Sequence, residues 1–275
     1  MMRINGVEAE QLPATDRGLH YGDGLFETIA VRNQTPEYWS EHLQRLQRGC
    51  ERLNIPMPEV DWLKHEADTI IQQTAEQKGV LKIILTRGSG GRGYLPAEDV
   101  QPTTILQWKP WPYPADKQKK AEAQGVQLHL CRSRLSENRQ LAGIKHLNRL
   151  EQVMARSEWQ DPEIAEGVVM NQRDELIEGT MSNLFMVVDG EVITPTLDRC
   201  GVEGVMRNQI IQQLNKHGIT VTAQAIPRHI LENAEELFCS NSLIGIWPVA
   251  SVGKYQFSAP GPVTSNCIQW MKQGS

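Results

Sequence analysis

The chain has 275 residues, room for one large domain or two medium ones, and at this length a hydrophobic core holds without disulfide or metal staples. Lys and Arg number 28 against 33 Asp and Glu, a formal net charge of −5, so no global positive field exists to hold a nucleic acid or an anionic membrane. With 40% hydrophobic and 22% charged residues, the composition is that of a folded globular protein and excludes collagen-like, coiled-coil and wholly disordered classes.

Short apolar alternation around residues 4–9 opens the chain. A strand is predicted at 24–32 (Leu25, Phe26, Ile29, Val31), followed by the turn signal Asn33-Gln34-Thr35-Pro36 and a return at Tyr38-Trp39, hence a hairpin. Ser40 as N-cap, Leu43, Leu46 and Leu53 at helical spacing, and Asn54 before Pro56 as a stop predict a helix over 40–54. A second helix fits 59–78, and strands fit 80–86 and 103–108. Lys109-Pro110-Trp111-Pro112-Tyr113-Pro114 carries three prolines, which suit neither helix nor central strand and mark an extended connector. The expected division is therefore a small N-terminal domain at 1–109, a Pro-rich connector at 110–119 and a C-terminal domain at 120–275. In the C-terminal part the pattern predicts strands at 126–131, 166–170, 175–177, 184–188, 220–225, 237–239 and 247–252, with helices at 146–159, 204–217 and 228–233.

The fold class is α+β: a smaller N-terminal α/β domain and a larger C-terminal domain of mixed sheets with peripheral helices. No internal repeat is visible. The longest apolar runs are broken by charge well short of a membrane span, and the opening residues carry no apolar stretch of secretory-signal length. Five scattered cysteines without a C-x-x-C pair (Cys50, Cys131, Cys200, Cys239, Cys267) are expected to be reduced packing residues of a cytoplasmic protein, with no zinc site among them.

Five segments carry candidate chemistry. Arg87-Gly88-Ser89-Gly90-Gly91-Arg92-Gly93-Tyr94 satisfies G-x-G-x-x-G after a strand, but Leu95-Pro96 and an acidic stretch stand where a dinucleotide site needs a helix. A surface loop and a flexible lid presenting Arg92 and Tyr94 to an anion both remain open. Lys145 is expected at the entry of a helix with Leu147, Leu150, Val153 and Met154 as its apolar face. There the helix dipole and apolar neighbours would disfavour the ammonium, as an amine nucleophile requires; a solvated lysine is the alternative. Glu178 precedes a Gly turn and is either an ordinary turn acid or a partner for a protonated ring nitrogen. The glycine-flanked helix start 201–207 offers backbone N–H groups to a phosphate, and Arg45 in 42–46 could fork onto one.

Together these segments resemble the fold-type IV pyridoxal-phosphate enzymes, the branched-chain and D-amino acid aminotransferase superfamily. The resemblance rests on Tyr21-Gly22-Asp23-Gly24-Leu25-Phe26-Glu27-Thr28 and on residues 42–46, 87–94, 142–153, 178–185 and 201–207. The Glu-Gly-x-x-Ser-Asn-Leu-Phe run at 178–185 is specific to the superfamily. The glycine-rich loop and the Lys-His-Leu-Asn-Arg-Leu-Glu-Gln-Val run from Lys145 point to its lyase branch.

The resemblance implies that Lys145 carries pyridoxal 5'-phosphate covalently and, once released, acts as general base, while Glu178 pairs with the pyridine nitrogen. It implies phosphate contacts from Arg45, from backbone N–H groups around Val205 and Met206, and from the turn holding Ser240, Asn241 and Ser242. Tyr21 would line the pocket. The implied reaction is conversion of 4-amino-4-deoxychorismate to 4-aminobenzoate and pyruvate in folate biosynthesis, with a D-amino acid or branched-chain aminotransferase as the other activity of the superfamily. Leu150, where branched-chain enzymes carry a tyrosine, weighs against the branched-chain type. A doubly carboxylated substrate calls for cations, and Arg92, Arg87 and Lys82, with Tyr94 as donor, are the candidates. The resemblance further implies a homodimer with a small-molecule substrate and no nucleic-acid or membrane partner.

Overall fold

The computed structural model describes residues 1–99 and 101–273. These fall into two compact units: Met1–Pro112 with Ile144–Asn148, and Tyr113–Gly143 with Arg149 onward.

In the first unit, β1 (Met2–Ile4), β2 (Val7–Glu8), β3 (Gly24–Arg32), β4 (Thr35–Pro36), β5 (Lys78–Thr86) and β6 (Thr103–Pro110) form an antiparallel sheet in the order β2-β1-β6-β5-β3-β4. Between them lie α1 (Arg17–Tyr21), α2 (Trp39–Leu53) and α3 (Val60–Gln72). Strand periodicity puts Leu25 and Ile29 of β3, Leu81, Ile83 and Leu85 of β5 and Leu106 of β6 inside, with Leu46 of α2 and Leu63, Ile70 and Ile71 of α3. Each fully buried Leu or Ile contributes roughly 1.5–3 kcal/mol. The alternate positions Phe26, Thr28, Lys82 and Ile84 are half-buried, and in register Thr28 faces Lys82 and Phe26 faces Ile84.

The second unit contains α4 (Ala115–Gln124), β7 (Val126–Leu135), α5 (Leu150–Arg156), β8 (Ile164–Asn171), β9 (Glu175–Gly179), β10 (Asn183–Val188), β11 (Glu191–Pro195) and α6 (Val205–Lys216). After these come β12 (Val221–Gln224), β13 (Ile226–Pro227), a 3₁₀ turn (Arg228–Glu232), β14 (Ala234–Asn241), β15 (Gly245–Val252), β16 (Tyr255–Gln256) and α7 (Pro262–Gln273). The mixed sheet runs β12-β11-β10-β14-β15-β7-β8-β9-β13, with parallel pairs at β11–β12, β7–β15 and β7–β8. An added pairing of β9 with β10, at Asn183 opposite Glu178, closes six of these strands into a barrel-like ring. Leu184, Met186, Leu237 and Cys239 of β10 and β14 belong to its hydrophobic core, and the alternate residues Phe185 and Phe238, also buried, stack at 4.9 Å on the same paired strands. The two-domain α+β reading therefore holds. No helix of the described residues is long and apolar enough to cross a membrane.

Several elements differ from expectation. The hairpin returns at Thr35–Pro36, with Asn33 and Gln34 at φ 49° and 58°, as a tight two-residue turn requires. Tyr38 then caps α2, so Ser40 lies inside the helix. The second helix stops at Gln72, because Lys78 already enters the β5 ladder with Arg32. Within the expected connector, residues 115–119 are helical: Pro114 sits at the N-cap, where its fixed φ and missing N–H do no harm. The helix expected at 146–159 starts only at Leu150, and Leu150, Val153 and Met154 are exposed rather than a buried face.

Candidate active site

In the first unit, residues Ile144–Asn148 run beside β3 instead of starting a helix. Phe26 N–H donates to the Lys145 carbonyl and Leu147 N–H to the Gly24 carbonyl, both at 2.9 Å, with Leu25 and His146 in an antiparallel bridge. The lysine is thus positioned by strand-like pairing, not by a helix dipole. Its half-buried ammonium lies 4.5 Å from the centre of the Phe26 ring, and Lys82 lies 5.3 Å from the same ring. Burial, then the charge of Lys109, lowers the Lys82 pKa.

In the same unit, α2 presents His42 and Arg45 one turn apart to Glu27 of β3. Glu27 accepts from His42 Nδ1 at 2.6 Å and from Arg45 Nε at 2.8 Å, and all three are buried. Burial alone would raise the Glu27 carboxyl, but Arg45 and His42 overcome it and hold it at about 2. Burial pushes His42 down, with Arg45 and Lys145 adding to the shift against the pull of Glu27. A neutral His42 donating from Nδ1 is the tautomer an ionised Glu27 selects.

The glycine-rich loop belongs to the same unit. Arg92 and Tyr94 are exposed, and the Tyr94 ring meets Tyr21 at 5.5 Å. Arg87 does not accompany them: buried, it donates to Asp23 Oδ2 and Oδ1 and to the carbonyls of Leu53 and Asn54. Four of its five N–H groups are engaged in these bonds, which tie it to Asp23 and to the end of α2 rather than presenting it with Arg92 and Tyr94.

In the second unit, Glu178 lies within β9, paired with Val169 and Asn183, and is buried; it accepts from Val202 N–H at 2.8 Å, with the charge of Arg149 bearing on it. Gly201 makes this approach feasible: its φ of 85° favours glycine, and a Cβ there would stand 2.9 Å from Ile177 Cγ2 and 3.3 Å from Glu178 Oε2. The Asn183 amide donates to the Val202 carbonyl at 2.8 Å, fixing the turn that enters α6. Val205 and Met206 open α6 behind Gly204, where a Cβ would come within 2.0 Å of Asn183 Oδ1. The first-turn N–H groups have no intrahelical acceptor. Asn241 donates to the Met181 carbonyl and accepts from Leu243 and Ile244 N–H, and beside it Ser240 Oγ is buried with no hydrogen-bond partner among the described residues. Ser242 follows in the same turn.

The first unit thus carries an amine and a guanidinium held on a carboxylate, and the second a buried acid and a glycine-capped helix start, groups of the kinds that bind an aldehyde, a phosphate and a protonated ring nitrogen. The sequence alone gives Glu27, His42, Arg17 and Arg149 no individual role. Glu27 had a signal, since period-2 alternation places it on the same face as Leu25 and Ile29, where an unpaired carboxylate cannot stay.

The family signature described as amino-transferase class IV matches residues 24–252. Over 253 residues the chain is 37% identical to an aminodeoxychorismate lyase of Vibrio harveyi, covering 92% of this chain and 91% of that one. It is 27% identical to a D-alanine aminotransferase of Bacillus licheniformis, over 94% and 90% of the two chains. The crystal structure of 4-amino-4-deoxychorismate lyase from Pseudomonas aeruginosa superimposes with a TM-score of 0.93 at 41% identity, covering 99% of this chain and 98% of that one.

Proposed function

The chain belongs to the class IV aminotransferase family, and from that premise we propose that it is a pyridoxal-phosphate-dependent aminodeoxychorismate lyase, forming 4-aminobenzoate and pyruvate. The observation that carries the choice within the family is the likeness to lyases, at 37% and 41% identity, against 27% to the D-alanine aminotransferase.

Bound to Lys145, pyridoxal phosphate would supply an electrophilic carbon for the substrate amine and a pyridinium that accepts electron density when the neighbouring C–H bond breaks. Glu178 would hold the pyridine nitrogen protonated. Arg45, Val205, Met206, Ser240, Asn241 and Ser242 would hold the phosphate, and Tyr21 would line the pocket. Lys145 Nζ, neutral once released, takes the proton from the amine-bearing ring carbon. The adjacent C–O bond then breaks, the ring becomes aromatic, and the departing enolpyruvate gains a proton at its methylene carbon. Substrate and products thus balance as an elimination. Arg92, Tyr94 and Lys82 are the groups for the two carboxylates. The same reading takes 1–109 as the small domain and 120–275 as the cofactor-binding domain of a cytoplasmic homodimer in folate biosynthesis.

The test is direct. Purified protein with pyridoxal phosphate is mixed with aminodeoxychorismate while 4-aminobenzoate fluorescence and pyruvate are followed together. Equimolar products, abolished in Lys145→Ala, are expected; borohydride should fix the cofactor to the Lys145 peptide. Turnover of D-alanine or a branched-chain amino acid with 2-oxoglutarate, and none of aminodeoxychorismate, overturns the assignment.

A further inference from the structure

The glycine-rich loop is exposed and lacks helix or strand over its tip, yet one buried side chain holds it. Arg92 and Leu95 form an isolated antiparallel bridge, so residues 92–95 make a tight turn with Gly93 at φ 63°. Arg17, only 6% exposed, reaches under this turn and donates from one terminal nitrogen to the Gly93 carbonyl and from the other to the Tyr94 carbonyl, both at 2.9 Å. Its Nε donates to Asp23 Oδ2 at 2.9 Å, and the same carboxylate takes the Arg87 fork. The loop base is tied to the same segment: Arg17 N–H donates to the Gly88 carbonyl at 2.9 Å, and Thr15 Oγ1 to Ser89 Oγ at 3.1 Å. The Arg17 guanidinium also lies 4.9 Å from the centre of the Tyr21 ring, which meets Tyr94.

We propose that Arg17 is a positioning residue for the substrate: anchored by Asp23, it clasps the turn at Gly93 and Tyr94 and so fixes where Arg92 and Tyr94 are presented. This rests on the reading that those two side chains meet the substrate carboxylates. A lysine cannot replace it, because one ammonium cannot span two carbonyls and a carboxylate in this planar pattern. Asp23, which burial would raise but which Arg87 and Arg17 hold below its ordinary range, stays ionised through neutral pH and keeps the clasp anchored.

The test compares wild-type holoenzyme with Arg17→Lys and Arg17→Gln. Hydrogen exchange, read by mass spectrometry on peptides covering 88–95, should quicken by about tenfold or more in both variants, the factor one lost charge-assisted hydrogen bond carries. The rest of the chain should exchange as in the wild type. KM for aminodeoxychorismate should rise by a similar factor, while kcat falls much less. Unchanged exchange in Arg17→Lys, the variant that keeps the charge beside Asp23, overturns the clasp. Faster exchange with unchanged KM overturns its link to substrate. If the wild type does not turn over aminodeoxychorismate, the functional reading fails by itself, and the exchange comparison still decides whether the clasp exists.

Discussion

Replacing Glu27 by glutamine should destabilise the first unit strongly. The carboxylate is fully buried and is held at about 2 against an ordinary 4.5. A depression of about 2.5 units corresponds to about 3 kcal/mol of folding free energy at neutral pH. The amide would keep the shape but remove the carboxylate charge that faces Arg45 and His42, and removing one partner of a buried pair typically costs about 3–5 kcal/mol. The sign with pH follows from the depressed folded value. The Glu27 contribution is complete above its ordinary 4.5, fades as pH falls toward 2, and has no counterpart in the variant. The deficit of Glu27→Gln should therefore be large at neutral pH and shrink steeply by about pH 3. His42, pushed down by burial, adds a separate loss that starts below its ordinary 6.5. Urea unfolding read by hydrogen exchange on peptides of α2 and β3 reports this unit by itself. A deficit under about 1 kcal/mol at neutral pH, or one that stays constant down to about pH 3, would refute the reasoning.

Glu178→Ala should lower kcat by about a hundredfold or more while the protein still binds cofactor, since an acid holding charge in the transition state acts on the rate; equal rates would remove Glu178 from the mechanism. Gly204→Val places side-chain carbon where Asn183 Oδ1 already stands at 2.0 Å, so the entry to α6 must shift. Cofactor affinity measured by fluorescence quenching should weaken at least about tenfold, the effect of a lost charge-assisted hydrogen bond. The thiols of Cys50, Cys131, Cys200 and Cys267 are pushed up to about 12 by burial, and Cys239 is raised further. A thiol-reactive disulfide should titrate almost none in the native protein and all five in denaturant; rapid native reaction would show that the packing is open.

Sheet strands and the longer helices were legible in the residues because their signal is local. Alternation in β3 and β5 and helical spacing in α2 and α6 are set by which side chains must leave water. The glycine-framed start of α6 was also legible, since a glycine N-cap is written in a few neighbouring positions, whereas Glu178, expected just before a turn, lies within β9 opposite Val169 and Asn183. What the chain order hides is the choice of partner. Lys145 looked like a helix-start residue, yet its backbone is taken by β3, a strand far earlier in the chain, because pairing with Gly24 and Phe26 outweighs the helical tendency of the segment. Arg87 and Arg92 stand in one loop and looked equivalent. Only the fold assigns the first to Asp23 and leaves the second exposed, because a buried guanidinium must have every available donor met while an exposed one need not.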